Sequence, residues 1–212
     1  MLKKLTDKLL KEISYQTGWQ TVSPEFLSIL LTMRCNFRCQ SCSIWKKKNH
    51  NELGKDDWGK IISKLPQLLK PSAFVEINGG EPLIKKDLTL FVIQELKKYF
   101  HKVALNSNGL LIGKKSLNQL MQAGLDTIKI SFYSLDEKTH NDLRGNNLAY
   151  IRAKEAIQCI NAKKIPLEVG ILITAKNING LPDLIRHLQT LPNTSIILQP
   201  LDEKIENQEA KN

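Results

Sequence analysis

Apolar residues change their spacing along this chain. Leu2, Leu5, Leu9, Leu10 and Ile13 recur at helical intervals among lysines, so residues 2–15 read as an amphipathic helix whose apolar stripe is expected to dock on the domain's own core rather than on a membrane surface. Beyond Pro24 the pattern becomes short and β-rich. Apolar runs at residues 26–32, 73–78, 103–106, 127–133, 167–174 and 195–199 predict six strands. Helical stretches at 56–69, 87–100, 116–123, 148–162 and 181–191 fill the intervals. Their ends are punctuated: Asp56 is placed to cap the first, Asp87 opens the second, Gly124 follows the third and Pro182 suits the first turn of the last.

Strands that alternate with helices of this length need crossover connections, which makes neighbouring strands parallel and the crossovers right-handed. The predicted fold is therefore α/β, an open partial (β/α)6 barrel of parallel strands with outer helices, preceded by the amphipathic helix. Residues 1–25 form the extension and 26–201 the core domain. Residues 202–212 are a polar tail expected to be disordered. In such architectures the site forms beyond the carboxyl ends of the strands, so the residues just after each strand matter most.

Charge adds little to this picture. The 31 basic side chains outnumber 21 acidic ones, and residues 1–50 hold nine basic against three acidic. Such a surplus suits nucleic acid, an anionic membrane or an acidic molecule equally, and its plainest meaning is solubility with weak non-specific attraction, not a nucleic-acid site. No stretch is apolar enough for a transmembrane segment or a secretory leader, so a cytoplasmic protein is expected.

The cysteines change it more. Three of the four fall within eight positions, Cys35, Cys39 and Cys42, in the loop that leaves the first strand. Crowded thiols point to metal rather than to a disulfide scaffold. Two readings of the spacing CxxxCxxC stand. A closed tetrahedral zinc site needs a fourth ligand, which His50 or a distant residue would supply. A four-iron cluster on three cysteines keeps one iron open for a substrate atom.

CxxxCxxC directly after a first strand resembles the signature of the radical S-adenosylmethionine (SAM) superfamily, and further segments agree. Gly79-Gly80-Glu81-Pro82 after the second strand looks like that family's GGEP turn, which hydrogen-bonds the amino group of the methionine moiety; paired glycines admit close backbone approach and Pro82 fixes the turn. Asn106-Ser107-Asn108-Gly109 after the third strand resembles a segment often found there. Ser131 and Arg144 match a serine and an arginine that, in peptide-modifying members, contact the ribose and carboxylate of the cofactor. The planar fork of arginine suits a carboxylate. Relatives often carry an aromatic residue just before the third cysteine, where this chain has Ser41. Phe37 and Trp45 are candidates to shield the cluster or are ordinary core. Cys159 reads as a small buried hydrophobe, and His50, His101, His140 and His187 as scattered surface residues. The run Lys46-Lys47-Lys48 reads as a solvated face, with a docking role toward an electron donor or a substrate with acidic patches as the sharper option.

The resemblance spans residues 26–201 and is nearest to the molybdenum-cofactor cyclase and the peptide-maturation enzymes. It implies a [4Fe–4S] cluster on Cys35, Cys39 and Cys42, SAM as cofactor, and a flavodoxin- or ferredoxin-type electron donor. Reductive cleavage of SAM to a 5′-deoxyadenosyl radical would then abstract hydrogen from a small-molecule or peptide substrate. Many relatives carry a further cysteine-rich extension, whereas here about a dozen residues follow the sixth strand, so a partner chain or a dimer is expected to close the barrel. The competing readings are a zinc or inert-cluster module with a basic nucleic-acid surface, and a glycyl-radical activase. Glu168, Thr174, Gln199 and Leu201 at the last two strands are unranked candidates for the substrate pocket.

Overall fold

The computed structural model describes residues 2–18, 22–47 and 51–201. It contains the helices α1 (Leu2–Thr17), α2 (Lys55–Lys64), α3 (Lys86–Lys97), α4 (Lys114–Gln122), α5 (Glu137–Arg144), α6 (Ala149–Ala162) and α7 (Leu181–Gln189). The strands are β1 (Phe26–Leu30), β2 (Phe74–Asn78), β3 (Lys102–Ser107), β4 (Thr127–Ser131), β5 (Leu167–Ile173) and β6 (Thr194–Pro200). All six form one sheet in sequence order, each pair parallel. Sequential order with crossovers of one hand curls the sheet, and because β1 and β6 do not pair, the barrel stays open.

Alternation along the strands has a purpose. One face carries Val75, Ile77, Val103, Leu105, Ile128, Ile130, Val169 and Ile171, all fully or nearly fully buried against helix residues such as Val92, Leu96, Leu117 and Ile160. Each such side chain contributes roughly 1.5–3 kcal/mol on burial. The other face carries Ser28, Glu76, Asn78, Asn106, Lys129, Ser131 and Gly170, polar or small residues facing the barrel interior. A parallel strand buried on both faces is usually apolar throughout, so a polar inner face marks a lined cavity rather than a packed barrel core.

Several expectations need adjusting. Leu5 and Leu9 of α1 do not dock on the core: they are 71% and 64% exposed, and Lys11 pairs with Glu25 at the surface. The first crossover helix starts at Lys55, and its N-terminus is closed by Asp57, whose carboxylate accepts from the Gly54 N–H at 3.1 Å, not by Asp56. The eight-residue α5 escaped prediction altogether. Its signals are present nonetheless: Asp136 caps it by accepting from the Thr139 N–H at 2.7 Å, and Gly145 ends it in the left-handed conformation with φ 58°. Cys159 is half-buried at the edge of the core. His50, Lys48 and the tail 202–212 lie outside the described residues.

Candidate cofactor site

The loop after β1 is held from three sides. On one side it lies on the end of β2. The Gly80 N–H donates to the Thr32 carbonyl and the Glu81 N–H to the Arg34 carbonyl, both at 2.8 Å. A Cβ on Gly80 would stand 2.2 Å from the Arg34 oxygen and 2.9 Å from the Cys35 Cβ, so only glycine permits this approach. The glycine pair thus seats the cysteine loop itself, as well as facing the cavity.

A second hold is Glu52, which sequence reading passed over. One carboxylate oxygen accepts from Thr32 Oγ1 and from the Met33 N–H, each at 2.8 Å, and the other lies 2.5 Å from Lys85 Nζ. Burial alone would raise this carboxyl, but the bonds from Lys85, Met33 and Thr32 outweigh it and hold its pKa at about 2. Glu52→Ala leaves three donors without their acceptor and is expected to destabilise the fold by about 2–4 kcal/mol. Equilibrium urea unfolding measures it.

The third hold is the end of α5. The Gln40 N–H donates to the Leu143 carbonyl at 3.1 Å, and Gly145 packs so closely on Arg38 that a Cβ there would meet the Arg38 oxygen at 2.0 Å. Asn108 Nδ2 donates to Asn36 Oδ1 at 2.6 Å, and Trp45 Nε1 donates to the Cys39 carbonyl at 3.2 Å. Phe37 is buried and Trp45 half-buried, with Arg38 and Lys46 stacked on the indole.

Held this way, Cys35, Cys39 and Cys42 all open on one cavity of about 260 Å³. Burial raises the pKa of Cys35 and of Cys39. Thiols so placed stay protonated at neutral pH until a bound cation draws the proton off. Among the described residues no three His, Cys, Asp or Glu side chains gather tightly enough for a single ion. Three thiols around one cavity can act together as thiolate ligands of a metal centre, the donor type that both a zinc site and an iron–sulfur cluster use.

Gly79, Gly80, Asn106, Ser107, Asn108 and Ser131 line the same cavity. Glu81 and Pro82 do not. Glu81 is fully buried behind the wall, where it accepts from the Leu83 N–H at 3.1 Å, Ser107 Oγ at 3.0 Å and the Asn108 N–H at 2.8 Å. Its carboxylate braces the turns after β2 and β3, and Pro82 starts the short helical turn behind them.

Arg144, the last residue of α5, is 8% exposed and lines the cavity. One terminal nitrogen donates to the Tyr133 hydroxyl at 2.8 Å, and the guanidinium carbon lies 4.9 Å from the Tyr133 ring centre and 5.4 Å from that of Phe37. Burial works against its charge, but Tyr133, Cys39 and Cys35 outweigh burial and raise its pKa. Its Nε has no protein partner although it is buried, so this cation keeps a donor in reserve.

His140 is not a surface residue. It is fully buried among Phe132, Tyr133 and Tyr150, and its Nδ1 accepts from the Tyr133 N–H at 3.1 Å. Burial, aided by Arg144 one helical turn away, lowers its pKa to about 3. The sign follows: below about pH 6.5 the unfolded chain binds a proton that folded His140 refuses, so the fold loses up to ~1.4 kcal/mol per pH unit until folded His140 protonates. Glu52 adds its own loss below about pH 4.5, where its unfolded carboxyl begins to protonate. Urea unfolding between pH 7 and pH 5 should show a decline of about 2 kcal/mol that His140→Gln flattens.

Ser41, Tyr133, Lys129, Gly170, Leu172 and Gln199 complete the wall; of the unranked candidates, Gln199 lines it, whereas Glu168, Thr174 and Leu201 do not. A larger depression of about 570 Å³ lies along α1 and brings no comparable chemistry together.

An open parallel barrel thus brings three thiols, a glycine turn and a buried arginine around one cavity. The Radical SAM superfamily model matches residues 29–188, and the chain belongs to that superfamily, a family of enzymes. It is 28% identical over 178 residues to a probable GTP 3′,8-cyclase of Methanopyrus kandleri, covering 82% of this chain and 56% of that protein. It is 30% identical over 168 residues to the PqqA peptide cyclase of Bradyrhizobium diazoefficiens, covering 76% and 42%. The chain therefore spans about half the length of these relatives. Among solved structures, Streptococcus suis SuiB bound to S-adenosylmethionine superposes with a TM-score of 0.71 at 20% identity, over 91% of this chain and 44% of SuiB. Methylornithine synthase (PylB) superposes with a TM-score of 0.67 at 15% identity, over 95% and 60%. Both show the same partial-barrel fold. No helix among the described residues is long and apolar enough to cross a membrane.

Proposed function

We propose that this chain is a radical SAM enzyme whose Cys35, Cys39 and Cys42 hold a [4Fe–4S] cluster. The observation that carries the reading is the shared cavity: three thiols, the Gly79-Gly80 turn and Arg144 all line it. The donor set fits both groups. Thiolates suit iron, and a buried cationic fork with an unused N–H suits the SAM carboxylate. When bound, the reduced cluster supplies the electron that splits SAM into methionine and a 5′-deoxyadenosyl radical.

The protein's own contribution is placement. Arg144 receives the carboxylate, held in aim by Tyr133 and Phe37. Gly79 and Gly80 offer main chain to the amino group, Ser131 stands for the ribose, and Asn106, Ser107 and Asn108 shape the wall under the brace of Glu81. Phe37 and Trp45 keep water from the sulfur side, which protects a reactive intermediate and tunes reduction potential. The substrate is a peptide or small molecule, as the names of the two cyclase relatives suggest, and the electron donor is of the flavodoxin or ferredoxin type. The exposed Phe26 and Leu30 on β1 and Leu198 on β6 flank the open gap, which a partner chain or second copy would close.

Anaerobic reconstitution with iron and sulfide tests the ligand set. The expected product is a brown protein with about four irons per chain. Cys35→Ala, Cys39→Ala and Cys42→Ala should each lose most of that absorbance, whereas Cys159→Ala should keep it. Equal loss in the Cys159 variant, or full loading in any of the other three, contradicts the assignment.

A further inference from the structure

The cavity wall carries two side-chain cations, Arg144 and Lys129, and among its described lining residues no carboxylate. SAM brings a single carboxylate. If Arg144 takes it, as proposed above, Lys129 is left with a charge that the cofactor does not match.

The geometry around Lys129 suits a ligand. Its stem leaves the inner face of β4 and lies over Gly170 of β5, where a Cβ would come within 3.3 Å of Lys129 Cε. A side chain larger than hydrogen at position 170 would therefore crowd the stem, and glycine clears its path into the cavity. The ammonium reaches one protein partner, Glu76 Oε1, at 3.5 Å, and the two side chains are 14% and 10% exposed. Charge-assisted bonds close to about 2.7–2.9 Å, so this pair is loose, and an ammonium has three donors to satisfy. Glu76 is not free to close the gap, because its other oxygen accepts from Asn78 Nδ2 at 2.7 Å, and Asn78 is tied to Asn106 at 2.8 Å. Glu168, the register neighbour of Lys129 on β5, forms no ion pair with it. Glu76 thus occupies at most one of the three ammonium donors of a lysine that lines the cavity.

We infer that Lys129 anchors an anionic group of the substrate, a carboxylate or a phosphate, in the cavity that it shares with the cysteine loop. The inference rests on the proposed cofactor placement and deepens it by naming the substrate's chemical class.

Lysine labelling tests it. Cluster-reconstituted, SAM-loaded protein is treated with an amine-reactive ester, and acylation of Lys129 is followed by peptide mass spectrometry. The probes are inorganic phosphate, N-acetylglutamate methylamide and neutral N-acetylglutamine methylamide. At saturating probe, at least one anion should slow Lys129 labelling by about threefold or more, with the surface Lys176 unaffected and the neutral amide without effect. The stronger of the two anions identifies phosphate or carboxylate as the source. Equal protection by the neutral amide, or none by either anion, overturns the inference. A second arm measures SAM binding in the double variant Lys129→Met/Glu76→Gln, which removes the pair together and leaves no lone buried charge. SAM affinity should stay within about twofold of the parent, while a loss of about tenfold or more would assign Lys129 to the cofactor and overturn the inference. Failure of the parent protein to bind SAM at all would instead sink the cofactor reading, and the labelling arm repeated without SAM would still report on Lys129.

Discussion

Gly80→Ala is expected to leave the protein unable to assemble its cluster and less stable by about 3 kcal/mol or more, the upper end of overpacking costs. The new methyl would lie 2.2 Å from the Arg34 carbonyl oxygen and 2.9 Å from the Cys35 Cβ, and both neighbours are backbone or backbone-near atoms that cannot rotate away. Relief requires the loop to lift off β2, breaking the bonds from Gly80 to Thr32 and from Glu81 to Arg34 and spreading the thiols. Gly180→Ala is the control. Its Cβ would meet nothing within 4 Å, and the change should cost under about 1 kcal/mol and leave cluster loading intact. Chemical denaturation and iron content measure both variants. Full cluster loading in Gly80→Ala would show that the glycine turn does not seat the loop.

The second large effect falls on Arg144. Arg144→Met removes the one buried cation aimed at the proposed carboxylate position, and SAM affinity should fall by about 2–3 kcal/mol, or roughly 30- to 150-fold. Arg144→Lys should recover little, because a point charge cannot span Tyr133 and the ligand as a planar fork does. Tyr133→Phe keeps the ring but loses the 2.8 Å bond, so a smaller loss of about 1 kcal/mol is expected. Equilibrium dialysis against SAM with the reconstituted protein reads all three. A carboxamide analogue of SAM should bind the parent and Arg144→Met almost alike, which ties the effect to the carboxylate.

Sequence pattern revealed the frame well, for identifiable reasons. Parallel strands buried beneath helices leave β-branched runs of recognisable length, and all six strands overlap their predicted positions. The cysteine loop and the glycine turn are legible because their chemistry depends on local spacing. What escaped notice depends on contacts made across the fold. Glu52 joins Thr32, Met33 and Lys85, residues far apart in sequence, and no periodicity marks it. His140 sits one turn before Arg144 on a helix too polar to show an apolar stripe, so its burial comes from the aromatic residues of the β4 end and α6 that close over it. Lys129 looks like the polar half of an ordinary strand alternation until Gly170 is seen to make room for it. The amphipathic period of α1 correctly gave a helix, yet a period says nothing about which surface, if any, receives the apolar side.

The most direct measurement of the central claim is the nucleoside product of SAM after reduction. Reconstituted protein reduced under anaerobic conditions should convert SAM to 5′-deoxyadenosine and methionine, and protein lacking the Cys35, Cys39 and Cys42 thiols should not. Recovery of intact SAM from a protein that carries one zinc per chain, with no deoxyadenosine formed, would contradict it.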